Sequence, residues 1–206
     1  MKKIFSALSL ICLLSSCEVA QQVLNQSGVS TGPLSSEEIA SGLKEALTIG
    51  TQNGTNKLSM ADGFFADAAV KILLPAEAQK VETTLRSLGM GSLIDKAILS
   101  MNRAAEDAAK SATPIFVNAI KQMTISDALG ILQGGESAAT NYFKDKTTGA
   151  LTTSFSPVVH NALQKTEATK YWKEIFTTYN QFAAKDINPD LDAFVTGKAI
   201  DGIFYQ

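Results

Sequence analysis

Apolar residues recur along this chain at helical spacing and do not alternate with the period of two that half-buried strands show. Ser35 and Glu38 have the spacing of a capping box, and an apolar helical period follows them to about Asn53. Asn53-Gly54 then predicts a turn. The pattern therefore predicts an all-α fold, an irregular single-domain helical bundle over residues 35–206.

Glycine, proline and capping residues divide the rest of the chain into further helices. Ser126 and Asp127 are predicted to cap a short helix, and Pro157 is predicted to open a new one. The predicted segments are 76–88, 92–112, a helix that restarts at 113–114, a short apolar segment from 126 to 132, 136–146, 158–165, 168–184 and a last helix that follows 188–190 and runs to 205.

The longest predicted helix, residues 92–112, has an inner stripe of mostly small side chains. Small residues on a helix face allow a neighbouring helix to approach closely, so this helix is predicted to lie inside the bundle. The stripe consists of Leu93, Ala97, Met101, Ala105, Ala108 and Ala112.

The N-terminus has the pattern of an export signal. Lys2 and Lys3 precede an apolar run, residues 4–14, that is too short to span a bilayer, which needs about 20 residues. Leu-Ser-Ser-Cys follows, which is the processing pattern of bacterial lipoproteins, so we expect cleavage between Ser16 and Cys17 and lipidation of Cys17. Residues 17–34, polar and glycine-containing, are predicted to form a flexible tether with a reach of roughly 20–25 Å.

The amino-acid composition argues against several kinds of functional site in the predicted domain. The two cysteines of the chain are Cys12, inside the predicted signal peptide, and Cys17, so the predicted domain has no thiol for a disulfide, a zinc site or a nucleophile. Loss of Lys2 and Lys3 reduces 18 basic residues to 16 against 20 acidic ones, a net charge of −4. That balance argues against a nucleic-acid partner.

Nine segments of the predicted domain match a known family pattern in order. They are 43–47, 62–65, 71–75, 101–106, 119–124, 127–128, 131–134, 138–143 and 195–204. Together they resemble the bacterial lipoprotein family known as domain of unknown function 4197. The resemblance implies a helical envelope protein and carries over no catalytic residue. Family members continue with a further charged helix after the last of these segments, so we expect this member to be either shorter or a fragment.

Asn102, Arg103 and Glu106 form the sharpest polar group, because their spacing places them on adjacent parts of one helix face. Such a group could clamp a carboxylate, a phosphate or a sugar. The alternative interpretation is an ordinary charge lattice on the helix surface, in which Glu106 also pairs with Lys110.

The other candidate site residues give weaker functional signals. His160, the only histidine, has no recognisable Ser or Asp partner in the sequence, which favours a surface or capping role over catalysis. The aspartates at 186, 190 and 192 lack the spacing of a calcium loop. We therefore predict no catalytic residue, no metal site and no cofactor.

Trp172, Phe176 and their neighbours form an aromatic side on the helix at 168–184, which is typical of a core but could also line a cavity for an apolar ligand. The function expected is a non-catalytic binding or structural module of the cell envelope, held at a membrane by its N-terminal lipid and facing a protein or glycan partner. The alternatives are an envelope enzyme with a carboxylate-based cleft and a binder of apolar ligands. Glu18 after Cys17 favours the outer membrane over the inner one.

Overall fold

A computed structural model describes residues 33–166, 168–180 and 190–206, and the compact body begins at residue 40. Ser16, Cys17 and most of the predicted tether lie outside the described residues. The described chain is all-α, with no strand among these residues, as the sequence predicts. The elements are α1 (Ser36–Ser59), a 3-10 turn (Ala76–Ala78), α2 (Gln79–Ser87), α3 (Gly91–Ala109), α4 (Ala112–Gln122), α5 (Ile125–Gln133), α6 (Ala138–Gln164), α7 (Ala168–Asn180) and α8 (Leu191–Tyr205).

Helix α6 is the centre of the bundle. It packs against α3 and α8, which also pack against each other, and α4, α5 and α7 lie around it. Its buried residues recur every fourth position, because that spacing keeps them on one side of a helix. They are Phe143, Thr147, Leu151, Phe155, Val159 and Leu163.

The small-residue stripe of α3 is buried, as predicted. Met101, Ala105 and Ala108 are inaccessible to solvent, and so is Ala112 at the start of α4. At the other end of the stripe, Ala97 is only partly buried. The fully buried part of this stripe therefore begins at Met101.

The capping predictions are partly right. Ser35 and Glu38 form the predicted capping box, with the Glu38 N–H donating to Ser35 Oγ at 3.2 Å. The N-cap of α5 is Thr124, so the capping prediction is wrong for Ser126, whereas Asp127 takes part in the cap as the second member of a capping box. Asp127 stands at the third helical position and its carboxylate accepts from the Thr124 N–H at 2.9 Å. Hydrogen bonds from the Thr124 backbone and hydroxyl hold the pKa of Asp127 below its ordinary value.

Two predicted helix breaks are wrong because tertiary packing outweighs local propensity. Helix α1 continues through Gly54 to Ser59, and its last turn buries Leu58 completely. Helix α6 continues through Pro157, between the fully buried Phe155 and Val159. An internal proline costs about 3 kcal/mol, whereas each large apolar side chain that is buried contributes about 1.5–3 kcal/mol.

The helix predicted over 76–88 begins as the 3-10 turn and ends before Gly89, whose φ of 80° is the left-handed conformation of a C-terminal cap. Leu88, just after the last residue of α2, is exposed. Within the described residues, no single helix is long and apolar enough to cross a membrane; α4 and α5 pass that test only jointly, as a pair bent by 105°.

Candidate functional site

An apolar cavity of about 300 Å³ lies between α2, α3 and α7. Two large rings of α7, Trp172 and Phe176, form one wall, and aliphatic side chains of α2 and α3 form the others. Leu74, from the segment before α2, completes it. The described lining residues are Leu74, Val81, Leu85, Leu93, Ile94, Lys96, Ala97, Ser100, Thr166, Ala168, Trp172 and Phe176.

Local sequence explains why the space is open. Along α3, Leu93, Ala97 and Ser100 follow helical spacing and point to the same side. Ala97 is small where a leucine would fill the gap, and α2 presents only Val81 and Leu85 to the cavity. The aromatic residues of α7 are therefore both core and cavity wall, so the two interpretations of this helix apply together.

The aromatic wall is fixed by ring contacts. Trp172 is 4 % exposed and its ring lies 4.5 Å from that of Phe176, with Phe194 of α8 stacked at 5.6 Å. Its indole N–H is buried and has no hydrogen-bond partner among the described residues. A wall of packed rings is pre-formed, which lowers the ordering cost of binding an apolar molecule.

The rim of the cavity is polar on one side. Lys96 and Ser100 lie one turn apart on α3, and Thr166 faces them from the end of α6. The Thr166 hydroxyl donates to the Leu163 carbonyl at 2.9 Å. Among the described lining residues none is acidic, and the ammonium group of Lys96 is the one formal charge they carry.

The sequence does not single out Lys96, because a lysine on a helix belongs to no motif. Its position one residue before Ala97 does not help, since a small residue in an apolar stripe is found both where helices pack closely and where a gap is left. Which helix faces that gap depends on the tertiary structure.

The structure brings Asn102, Arg103 and Glu106 together, but against this chain's own backbone. Asn102 and Glu106 are 0 % and 3 % exposed, so the interpretation as a surface charge lattice is wrong for both. Glu106 Oε1 accepts the N–H groups of Phe64 and Phe65, each at 3.2 Å. The predicted pairing of Glu106 with Lys110 does not form; Lys110 pairs with Asp107 instead.

Arg103 completes this arrangement. It donates to Glu106 at 2.6 Å and to Asp62 at 2.7 Å. These bonds, the one with Glu106 first, raise the pKa of Arg103 above its ordinary value. Asp62 has a φ of 69°, and a non-glycine residue in that conformation needs such support. The three residues thus anchor residues 60–75, hereafter the anchored loop, which carries Leu74 to the cavity.

His160 has a partner that its sequence position does not reveal. Its Nδ1 lies 2.5 Å from the Oδ2 of Asp192, which links α6 to α8. Ser156, Asp190 and Asp192 line the same open depression. Asp192 contacts His160 through Oδ2, and Asp190 Oδ1 accepts the Ala193 N–H at 2.9 Å. Asp192 Oδ1 is buried and has no hydrogen-bond partner among the described residues. The depression lies at the junction of α6 and α8 and is open to solvent.

A larger depression, about 480 Å³, lies between α4 and α6 and is lined by polar side chains, including Asn118, Gln122 and Lys146. Tyr142 forms part of it, and burial raises the pKa of this phenol. It is shallower and more polar than the cavity beside Trp172. Within the described residues, no group of three His, Cys, Asp or Glu side chains is placed to hold a metal ion.

Comparison with known proteins agrees with the resemblance seen in the sequence. A family model described as "Protein of unknown function (DUF4197)" matches residues 33–206, which include all the described helices. No curated protein matches the chain, and neither does any solved structure. Since the family model covers the whole folded region, this chain belongs to the DUF4197 family of proteins of unknown function.

Proposed function

We propose that this domain is a non-catalytic module that binds an apolar molecule in the cavity between α2, α3 and α7. The observation that carries the proposal is the cavity itself: about 300 Å³ enclosed largely by aliphatic and aromatic side chains. That volume is about twice that of a cavity known to bind benzene, and it lies at the lower end of the range for small-molecule sites.

Two features favour binding over chemistry. The anchored loop already binds the side chains of Asn102, Arg103 and Glu106, so their polar groups are not directed at a ligand. The one histidine–carboxylate pair, His160 with Asp192, lies in an open depression lined by α6 and α8 residues. A general base needs an oriented substrate as well as an oriented ring, and an open depression orients little.

The Trp172 ring provides the test, because it is the only tryptophan of the chain and forms the cavity wall. We expect a brominated twelve-carbon chain to quench Trp172 emission saturably in the full chain carrying Cys17→Ser, purified without detergent. Ala97→Leu and Ala97→Phe fill the cavity in steps, and the larger one should weaken binding about tenfold. Displacing two methylenes costs that much at about 0.8 kcal/mol each.

Ala150→Phe is the matched control, since Ala150 lies on α6 beside the polar depression and away from Trp172. It should leave quenching unchanged, and circular dichroism should show that all three variants keep their helix content. Equal quenching in the Ala97 and Ala150 variants, or quenching that never saturates, would show that the probe does not enter the cavity.

We further propose that acyl chains on Cys17 attach the module to a membrane, where it acts. The outer membrane is proposed rather than the inner one. The charged, apolar and Leu-Ser-Ser-Cys segments of the N-terminus support this. Two or more acyl chains make attachment stable, because each buried methylene contributes about 0.8 kcal/mol. The protein should stay with the membrane fraction after a high-salt wash, and Cys17→Ser should release it. A wild-type protein that the salt wash releases would contradict the anchor.

A further inference from the structure

We infer that the cavity selects single-chain anionic amphiphiles, such as a medium-chain carboxylate, with the chain beside Trp172 and the anionic head at Lys96. This inference rests on the proposed function and specifies its ligand class. It combines three independent properties of the site: the charge of its rim, the hydrogen-bonding capacity of its rim and its volume.

The charge argument starts from Lys96. This ammonium group forms no ion pair with any residue that the structure describes, and the described lining of the cavity contains no carboxylate to balance it. The nearest acid in sequence, Asp95, is bound by Arg86 at 2.8 Å. An apolar cavity whose rim carries one unbalanced positive charge is electrostatically complementary to an apolar ligand with one negative charge.

The hydrogen-bonding groups at the rim also favour a ligand with a negative charge. Ser100 follows Lys96 by four residues, so both side chains lie on one side of α3 at the rim. Lysine offers only donors, and a serine hydroxyl can donate as well as accept. Two adjacent donors suit the two oxygens of a carboxylate. They would leave a cationic head without an acceptor of matching charge.

The volume limits the number of chains. About 300 Å³ is twice the cavity that accommodates one benzene ring. One medium-length chain, or part of a longer one, fits such a space. A two-chain membrane lipid would leave most of its apolar surface in water, at a cost of about 0.8 kcal/mol for each exposed methylene. The site therefore favours a single-chain acid over an intact bilayer lipid.

The test compares three twelve-carbon ligands by displacement of the brominated probe from Trp172 in the Cys17→Ser chain. The two charged ligands are kept below their micelle-forming concentrations, and dodecanol below its solubility limit. We expect dodecanoate to bind about fivefold more tightly than dodecanol at low salt, which is the range of a partly exposed ion pair. Dodecyltrimethylammonium should bind more weakly than either. Raising the ionic strength should shrink the preference for the acid and leave dodecanol unaffected, because salt screens only the charged ligand.

Lys96→Met should abolish the preference for the acid while dodecanol binds as before, and Lys96→Glu should shift the preference to the cation. Lys121→Met, at an exposed position of α4 outside the described cavity lining, is the matched control and should retain the wild-type order. Equal binding of acid and alcohol to the wild type would overturn the anion selectivity and leave the proposed function intact. Failure of all three ligands to displace the probe, together with probe quenching that Ala97→Phe does not affect, would overturn both.

Discussion

Asn102→Ala will lower the free energy of unfolding by about 2–4 kcal/mol, although the side chain lies outside the cavity. The amide is fully buried on α3 and makes three hydrogen bonds. Its Oδ1 accepts the Ile72 N–H at 2.8 Å, and its Nδ2 donates to the carbonyls of Ile72 at 2.8 Å and Ile98 at 2.7 Å.

The size of the effect follows from what alanine would leave behind. The N–H and C=O of Ile72 would both lose their partners inside the protein, and a buried unsatisfied polar group costs about 1–3 kcal/mol. The missing side-chain volume adds a small cavity term. Equilibrium denaturation followed by circular dichroism measures the loss directly.

Two further variants serve as comparisons for Asn102→Ala. Asn102→Asp keeps the shape and the acceptor Oδ1 but replaces the two N–H donors facing carbonyl oxygens, so it should destabilise at least as much as alanine. Asn141→Ala, at an exposed position of α6, should change stability by no more than about 0.5 kcal/mol. A loss below about 1 kcal/mol for Asn102→Ala would mean that water replaces the amide and that the anchored loop does not depend on it.

Asn102 also illustrates how far the sequence leads. Spacing alone places Asn102, Arg103 and Glu106 on one face of a helix, and the structure agrees. Spacing cannot say what lies opposite that face, because the partner groups belong to residues 30 to 42 positions away along the chain. The functional and the surface interpretations both assume solvent on that side, and the anchored loop occupies it instead.

Helix positions could largely be predicted, since the apolar period is a local property, whereas continuity through Gly54 and Pro157 could not. At both positions a local penalty of about 1–3 kcal/mol is outweighed by burial, which only the assembled bundle determines. The cavity could not be predicted from the sequence either, because it too depends on the assembled bundle. Ala105 and Ala108 allow other helices to approach α3 closely, but beside Ala97, in the same stripe, Val81 and Leu85 of α2 leave the cavity unfilled.

The second large effect on stability is expected at Gly202 on α8, a position that Phe64 and Val70 approach closely. A Cβ atom at this position would lie 2.5 Å from Cε1 and 3.1 Å from Cζ of Phe64, and 3.4 Å from Cβ of Val70. Phe64 is fully buried and its backbone N–H is bound by Glu106, so the ring has no solvent-facing space into which to move. Gly202→Ala should therefore destabilise the protein by about 1–3 kcal/mol through overpacking, despite the better helix propensity of alanine.

Gly197→Ala on the same helix is the matched control, because no atom lies within 4 Å of its Cβ position and the residue is exposed. There the propensity gain acts alone and should stabilise the protein by up to about 1 kcal/mol. Phe64→Leu makes room for the new methyl group, so Gly202→Ala should cost less in that background, and the double-mutant cycle measures the coupling. A Gly202→Ala variant that is stabilised as Gly197→Ala is would show that α8 and the anchored loop are not packed against each other at Gly202.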